Sequence, residues 1–195
     1  MYSDGTVVVD AGKRSTLNLP VLNGLVSTVR KDLGGMPATV KPSDGRTIPD
    51  IPITVLGILQ ADGTYQIVRA SGLQQLGQEG GYPAPLYDAF TKLNALTTTP
   101  STAYIGANVR YQLQCPATAT GAQPWPVGLP QPANSAGASC VEFHVAGGAA
   151  ATAVRTACVP FMPQSGDAMK TPVPYQSAKG VRTCTWRYAL PDETS

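Results

Sequence analysis

Frequent glycine and proline residues are the feature that most limits what this chain can fold into. The 195 residues include 20 glycines and 18 prolines, whereas an average usage of roughly 12% would supply about 23 of the two together. Because both residues break regular structure at short intervals, the pattern favours strands and turns over long helices. We therefore predict a mainly β fold: an antiparallel β-sandwich or barrel-like domain with one short α-helix and extended arms and loops. At this length, residues 1–195 suffice for a single domain with its own core.

Two segments carry clear strand signals. The apolar and β-branched stretches Ile53–Gln60 and Thr64–Arg69 flank the link Ala61-Asp62-Gly63. A three-residue link that ends in glycine supplies the left-handed backbone position that such hairpins need, so the sequence predicts an antiparallel hairpin here. A second strand is predicted within residues 102–115. Its alternation places three apolar residues on one face: Val109, Tyr111 and Leu113.

One segment carries helical periodicity. Apolar residues recur at helical spacing across residues 86–96, which predicts an α-helix. Asp88 and Lys92 are placed to form an ion pair one turn apart. A helix of under four turns is not stable alone, so its apolar stripe must cover a sheet. We expect three side chains of this stripe to be buried: Leu86, Phe90 and Leu93.

Composition divides the rest of the chain. Residues 1–52 are predicted to form a largely extended N-terminal arm that has little core of its own and lies on a neighbouring subunit. Residues 53–115 hold the hairpin, the helix and a strand, and residues 139–195 are predicted to be C-terminal strands. Residues 116–138, which are rich in Pro, Gly, Ala and Gln, predict a long surface loop. Loops of this length are usually functional or bound to a neighbour, and Trp125 within it either anchors a partner or folds back onto its own domain.

Charged residues are scarce. They make up 13% of the chain, with a net charge of +2, against roughly 25% in soluble domains generally. So little charge is typical of a chain packed into an oligomer or lattice, although a monomer covered by Thr, Ser, Gln and Asn would also show it.

Basic residues cluster only in pairs, so we expect no nucleic-acid binding. No segment reaches about 18 uninterrupted apolar residues, so we expect no membrane span. The first residues lack the features of a secretory signal, which predicts synthesis in the cytoplasm and either retention there or release by lysis.

Side chains suited to catalysis are few. The chain has one histidine, His144, and a relay would need a nucleophile placed beside it by the fold. Glu142 and Cys140 share its strand face, but residues on one face lie about 7 Å apart, too far for a relay within the strand. The cysteines lack zinc-knuckle spacing, and the glycine-rich stretches near Gly12 and Gly77 lack a phosphate-loop pattern. We therefore predict a non-enzyme with no catalytic residue, no metal ligand and no cofactor.

The cysteine-containing segments Cys140–Val145 and Thr152–Cys158 are predicted to pair as a hairpin. Two registers compete, and the favoured one places Phe143 on an inward apolar face and Glu142 opposite Arg155 on the other face. A slip of one residue exchanges the two faces, so the apolar face should decide the register.

That register separates two of the four cysteines. Cys140 and Cys158 then lie on opposite faces, so we predict no disulfide between them and expect Cys158 to be a small core residue. A chain without an export signal also folds among reductants. Pairing of either residue with Cys115 or Cys184 stays open.

The general build resembles tailed-bacteriophage virion proteins, particularly capsid decoration (cement) proteins and small head or tail accessory proteins. The resemblance is carried by the Ala, Thr, Gly and Pro richness, the hairpin Ile53–Arg69 and the proline-broken arms. It implies a β-sandwich or barrel-like body and a homo-oligomer, often a trimer, that clamps neighbouring subunits of the major capsid protein in the virion. Such contact needs wide, uncharged surfaces and strands that add to a neighbour's sheet.

An alternative function is a carbohydrate- or receptor-binding β module of a phage tail or surface assembly. It would use exposed aromatic residues arrayed on one face. Four residues are candidates for that role: Trp125, Trp186, Tyr82 and Tyr175.

Overall fold

The computed structural model describes residues 1–46, 50–60, 62–116, 120–135, 140–161 and 170–193. Strands in antiparallel and mixed sheets predominate, accompanied by a few short helices. The mainly β prediction is therefore confirmed at this level. Within the described ranges the sheets are open, and none closes into a barrel.

The backbone contacts divide the chain into two compact units. The first unit comprises Met1–Val7 and Ser15–Pro100, and the second comprises Val8–Arg14 and Ser101–Ser195. That residues 1–195 act as one domain stays a prediction.

The strands and helices are numbered in chain order. The described strands are β1 (Thr6–Val9), β2 (Lys13–Thr16), β3 (Ile53–Leu59), β4 (Tyr65–Ser71), β5 (Thr102–Ala103), β6 (Val109–Gln114), β7 (Gln123–Pro124), β8 (Val141–Ala146), β9 (Val159–Pro160), β10 (Tyr175–Ser177) and β11 (Gly180–Tyr188). The described α-helices are α1 (Leu19–Leu33), α2 (Leu73–Gln78), α3 (Ala84–Asn94) and α4 (Gly148–Ala157). A short 3-10 turn, Ala95–Thr98, follows α3.

Helix α1 lies inside the segment predicted to be an extended arm, residues 1–52, and that prediction is wrong here. The Asn18 side chain accepts a hydrogen bond from the Val21 N–H and caps the helix. Proline in the first turn is compatible with a helix start, because the missing N–H would have no helical partner there. Val29 and Leu33 are fully buried in the core of the first unit, so this segment is part of that core together with the hairpin and the later helices.

The predicted hairpin is confirmed as β3 and β4. The strands pair antiparallel from Ile53 opposite Ser71 to Leu59 opposite Tyr65. Gly63 takes the left-handed conformation, with φ +83°, as the link requires. The inward face carries Leu56, Ile58, Val68 and Ala70, which pack in the same core as α1, α2 and α3.

The predicted helix is confirmed as α3, but the burial of its side chains and the partner in its ion pair differ from the prediction. Leu86 is fully buried, as expected, but Phe90 and Leu93 are only partly buried against the core. Lys92 donates to Asp32 of α1 across 2.7 Å, in place of the expected pair with Asp88. The pairing to a neighbouring helix is available because α1 is present, which the sequence did not predict.

The second unit is organised around a sheet with the strand order β7-β10-β11-β6-β8, and β9 also pairs with β11. Its centre is antiparallel, with Trp186 opposite Tyr111 and Tyr111 opposite His144. Val109, Tyr111 and Leu113 are buried on one face, which confirms their predicted alternation. That face packs against the buried residues Ala151 and Val154 of α4.

The predicted hairpin between Cys140–Val145 and Thr152–Cys158 is wrong. Most of the second segment belongs to α4, so residues 139–195 are not strands throughout, and β8 pairs with β6. The alanine run that begins α4 is a strong helix former, and it favours the helix that continues through most of Thr152–Cys158. Because β8 pairs with β6, its two faces are the reverse of those predicted. Glu142 is buried and Phe143 is 58% exposed. Arg155 donates to Thr152 within α4 rather than lying opposite Glu142.

The cysteines form two disulfides, Cys115–Cys140 and Cys158–Cys184. The prediction that Cys140 and Cys158 are not bonded to each other is confirmed, although the register argued for it is wrong. Cys158 is buried in the core as expected, but as half of a disulfide.

Candidate functional site

The outward face of the β3–β4 hairpin is mostly apolar, and Arg69, opposite Val55, is its charged residue. The strands alternate strictly, so every second side chain points away from the core. Five large apolar residues lie on this outward face, which we call the hairpin face: Ile53 (62% exposed), Val55 (55%), Leu59 (43%), Tyr65 (68%) and Ile67 (38%). Contiguous exposed apolar surface of this kind marks interaction sites in soluble proteins.

Contacts on the other side hold the hairpin face in place. Arg30 of α1 donates twice to the Leu59 carbonyl, at 2.9 and 2.7 Å, and the Gln66 amide donates to the Leu33 carbonyl at the end of α1. On the outer edge of β4, Arg69 exchanges hydrogen bonds of 2.9 Å with the backbone of Ala38 and Val40. A platform anchored at these points loses little conformational entropy on binding, which favours association.

This face was not predicted from the sequence to be a surface. The signal was present, because β3 carries apolar residues at both odd and even positions. A strand that is apolar on both faces is expected to be covered on both, and within the described first unit the core covers only one of them.

One side of the large sheet of the second unit is left uncovered by the described residues, and we call it the open face. Its described members surround a depression of about 250 Å³. They include Phe143 from β8, Arg110 and Gln112 from β6, Thr185 and Arg187 from β11, and Phe161 after β9. The two phenylalanines are 58% and 60% exposed. Aromatic rings therefore flank a polar floor.

Glu193 accepts hydrogen bonds from both arginines of the open face. Arg187 donates to both of its carboxylate oxygens, at 2.7 and 2.6 Å, and Arg110 donates to one of them. The hydrogen bonds from Arg187, which outweigh burial, lower the pKa of Glu193 from 4.5 to about 2, with contributions from the Leu190 N–H and Arg110. The Arg110 guanidinium also lies 5.2 Å from the centre of the Phe143 ring, in cation–π range.

His144 and Glu142 are closer than the sequence analysis allowed. Their side chains turn toward each other, and Nε2 lies 3.0 Å from Oε2. The same carboxylate accepts the backbone N–H groups of Ala133 and Asn134, at 2.8 and 3.0 Å. Burial raises the pKa of Glu142, but these two backbone hydrogen bonds and His144 outweigh it and hold that pKa below its usual value. The contacts give Glu142 a structural role, because it fastens the 133–134 segment to the sheet.

The four aromatic residues considered for ligand binding pack on the core or hydrogen-bond to the backbone of their own unit. Trp125 donates to the Leu129 carbonyl across 2.8 Å and packs on the core, so it folds back onto its own unit. Tyr82 donates to Ser71 and Tyr175 to Ala157, and the Trp186 ring packs on the same core as Trp125. These four residues form no exposed array, so the prediction that they make up an aromatic binding surface is wrong.

Metal-binding and membrane features were also sought in the described ranges. No group of three or more His, Cys, Asp or Glu side chains is placed there to hold a metal ion. No helix in the same ranges combines the length and apolar character needed to cross a bilayer.

Comparison with known proteins returned no match to this chain, whether with protein-family models, with curated proteins or with solved structures.

Proposed function

We propose that this protein is a non-enzymatic structural component of a virus-like particle, and that it assembles through the hairpin face. The observation that carries the proposal is the row of exposed apolar side chains on β3 and β4. Burying apolar surface contributes about 25 cal/mol per Å², so a partner that covers this face gains free energy from its apolar residues and has to accommodate the Arg69 side chain among them.

A second copy of the chain is the proposed occupant of the hairpin face. A flat two-stranded face can pack against its own copy, because closed symmetric pairing brings the same surface together from both sides. The low charged content, 13%, agrees with a surface that is largely covered in the working state. Pairing of this face with its own copy gives a dimer, so the trimer expected of decoration proteins would need a further contact between two different surfaces. A homo-oligomer, contact with a major capsid protein and the sandwich- or barrel-like body expected of decoration proteins belong to this proposal.

The two disulfides support a working place outside the reducing cytosol. Disulfides persist in oxidising surroundings and are rare in cytosolic proteins. A virion made in the host cytoplasm and released by lysis reaches such surroundings, and its cysteines can oxidise there. Virion localisation is part of the proposal on this ground.

The test is the molar mass in solution of the protein and of a matched pair of variants. Val55→Lys places a charge in the hairpin face, whereas Val21→Lys makes the same change on α1, at a residue of similar exposure, 52% against 55%. We expect an oligomer for the wild type and for V21K, and a monomer for V55K, by light scattering. A wild type that stays monomeric, or a V55K variant that keeps its mass, would overturn assembly through this face.

A separate measurement addresses the particle. Mass spectrometry of virions purified from the source should find this chain at a fixed ratio to the major capsid protein. Its absence from them would contradict the virion role while leaving self-assembly untouched.

A further inference from the structure

We propose that the open face is a binding site for a neutral glycan, with Phe143 and Phe161 as its walls and a floor of Arg110, Gln112, Thr185 and Arg187. This inference goes beyond the structural role, and it concerns the second unit alone.

The strand order sets the width of the site. Phe161 is attached beside β11, because its N–H donates to the Trp186 carbonyl across 2.7 Å. Phe143 lies on β8, and β6 stands between β8 and β11. At about 4.8 Å per strand, the two wall residues are set about 14 Å apart across the sheet. The space between them can admit a saccharide chain lying across a floor two strands wide, with the Arg110 guanidinium 5.2 Å from the centre of the Phe143 ring at one side of it.

The chemistry of walls and floor matches the two kinds of surface on a sugar. Sugar rings present C–H faces, which pack on aromatic rings, and hydroxyl edges, which both donate and accept hydrogen bonds. The floor offers an amide, a hydroxyl and two guanidinium groups, and this set supplies donors and acceptors together. Apolar walls with a few fixed polar groups are the usual composition of small-ligand sites.

The floor is also held in shape before any ligand arrives. The Gln112 amide donates to Gln114 across 3.0 Å, and both arginines are fixed on Glu193. Polar groups that are already oriented reduce the entropy lost on binding.

The charge of the floor argues for a neutral ligand. Glu193 lies against both guanidinium groups, so an incoming carboxylate or sulfate would compete with a carboxylate already in place. Like charges brought together in this way oppose binding. A neutral sugar meets no such opposition, because its hydroxyls can use the guanidinium N–H groups that Glu193 does not occupy.

The test is titration with a panel of neutral oligosaccharides built from glucose, mannose or galactose, with sulfated and uronic-acid oligosaccharides as the charged arm. Gln112 and Thr185 line the depression, so their backbone amide shifts report occupancy. We expect at least one neutral oligosaccharide to bind with a Kd at or below about 1 mM.

Variants locate the binding. Phe143→Ala and Phe161→Ala should each weaken it by about tenfold, and both residues are exposed enough for the fold to tolerate the change. Tyr65→Ala removes an aromatic ring of the hairpin face, 68% exposed, and should leave the affinity unchanged.

Three outcomes would overturn the inference: no neutral oligosaccharide binds, the two phenylalanine variants bind as well as the wild type, or the charged sugars bind more tightly. A monomer formed by Phe143→Ala would assign the open face to a second copy and would overturn it as well. The V55K variant should still bind sugar, so failure of the assembly proposal and failure of this one are distinguishable.

Discussion

Glu193 is the residue whose ionisation should matter most to the second unit. Its pKa is lowered from 4.5 to about 2 in the folded chain, so the carboxylate stabilises the fold at any pH above the unfolded value. That stabilisation is lost as the pH falls from about 5 toward 2, because the folded state then has to accept a proton. The arginine partners are 27% and 38% exposed, and screening by water reduces the contribution to on the order of 1–2 kcal/mol.

Glu193→Gln should therefore lower the free energy of unfolding by about 1–2 kcal/mol at pH 7 and flatten its dependence on pH between about 5 and 2. Both tryptophans of the chain lie in the second unit, so urea unfolding followed by tryptophan fluorescence isolates the effect. Asp10→Asn, which changes an exposed carboxyl of the same unit outside this cluster, is the matched control. An equal loss in both variants, or an unchanged acid limb in E193Q, would contradict the role given to Glu193.

Glu142 and His144 show which part of a residue's position could not be predicted from the sequence. The backbone spacing of Glu142 and His144 was read correctly, yet the side chains close that distance to 3.0 Å. Spacing along a strand fixes where the Cα atoms lie, whereas side-chain rotamers depend on neighbours from elsewhere in the chain. Here those neighbours are the 133–134 backbone and the Tyr111 ring stacked on His144.

At the scale of elements, structures formed by neighbouring residues were predicted from the sequence, whereas pairings between distant segments were not. The β3–β4 hairpin follows from one turn and the strands beside it, so the sequence could specify it. Helices α1 and α4 were not predicted, because Pro20 at the start of α1 favours a break and the valine and threonine residues of α4 favour a strand. Strand pairing between β6 and β8 joins distant segments, and no pattern within either one identifies the other.

The two disulfides differ in burial, which predicts a difference in reactivity. Cys158 and Cys184 are 6% and 2% exposed, whereas Cys115 and Cys140 are half-buried. Thiol–disulfide exchange requires access of the attacking thiolate to sulfur. A mild reductant should therefore open Cys115–Cys140 first, and mass spectrometry after alkylation would identify the freed cysteines. Simultaneous release of all four would show that burial in the folded chain does not protect the second bond.

At the scale of the whole molecule, each unit has one apolar or aromatic face that its own described residues leave uncovered. These are the hairpin face in the first unit and the open face in the second. The sequence predicted an assembling chain from its low charge, but not where the uncovered faces lie. Their positions depend on which side of each sheet the helices cover, and that is decided by packing between distant segments.

The N-terminal segment is built into both units, which leads to a final prediction. Residues 8–14 belong to the second unit, where the Gly12 carbonyl accepts the Tyr104 N–H across 2.9 Å. Thr6 and Val7 of the first unit are 6% and 3% exposed. An arm that only clamps a neighbour could be removed without loss of subunit stability, whereas a segment with buried side chains and paired backbone could not.

Deletion of residues 1–14 should therefore destabilise the isolated subunit, at any protein concentration. Burial of a valine side chain alone contributes about 1.5–3 kcal/mol, so we expect a loss of at least about 2 kcal/mol in unfolding free energy. The loss should appear in the fluorescence transition of the second unit as well as in the far-ultraviolet circular dichroism of the whole chain. Lys13→Ala, which removes an exposed side chain but keeps the backbone pairing of Lys13 with Ala103, should leave both transitions in place. If the truncated chain unfolds like the wild type and loses only its oligomeric state, the segment is an arm after all, because its contacts within the subunit then contribute nothing measurable.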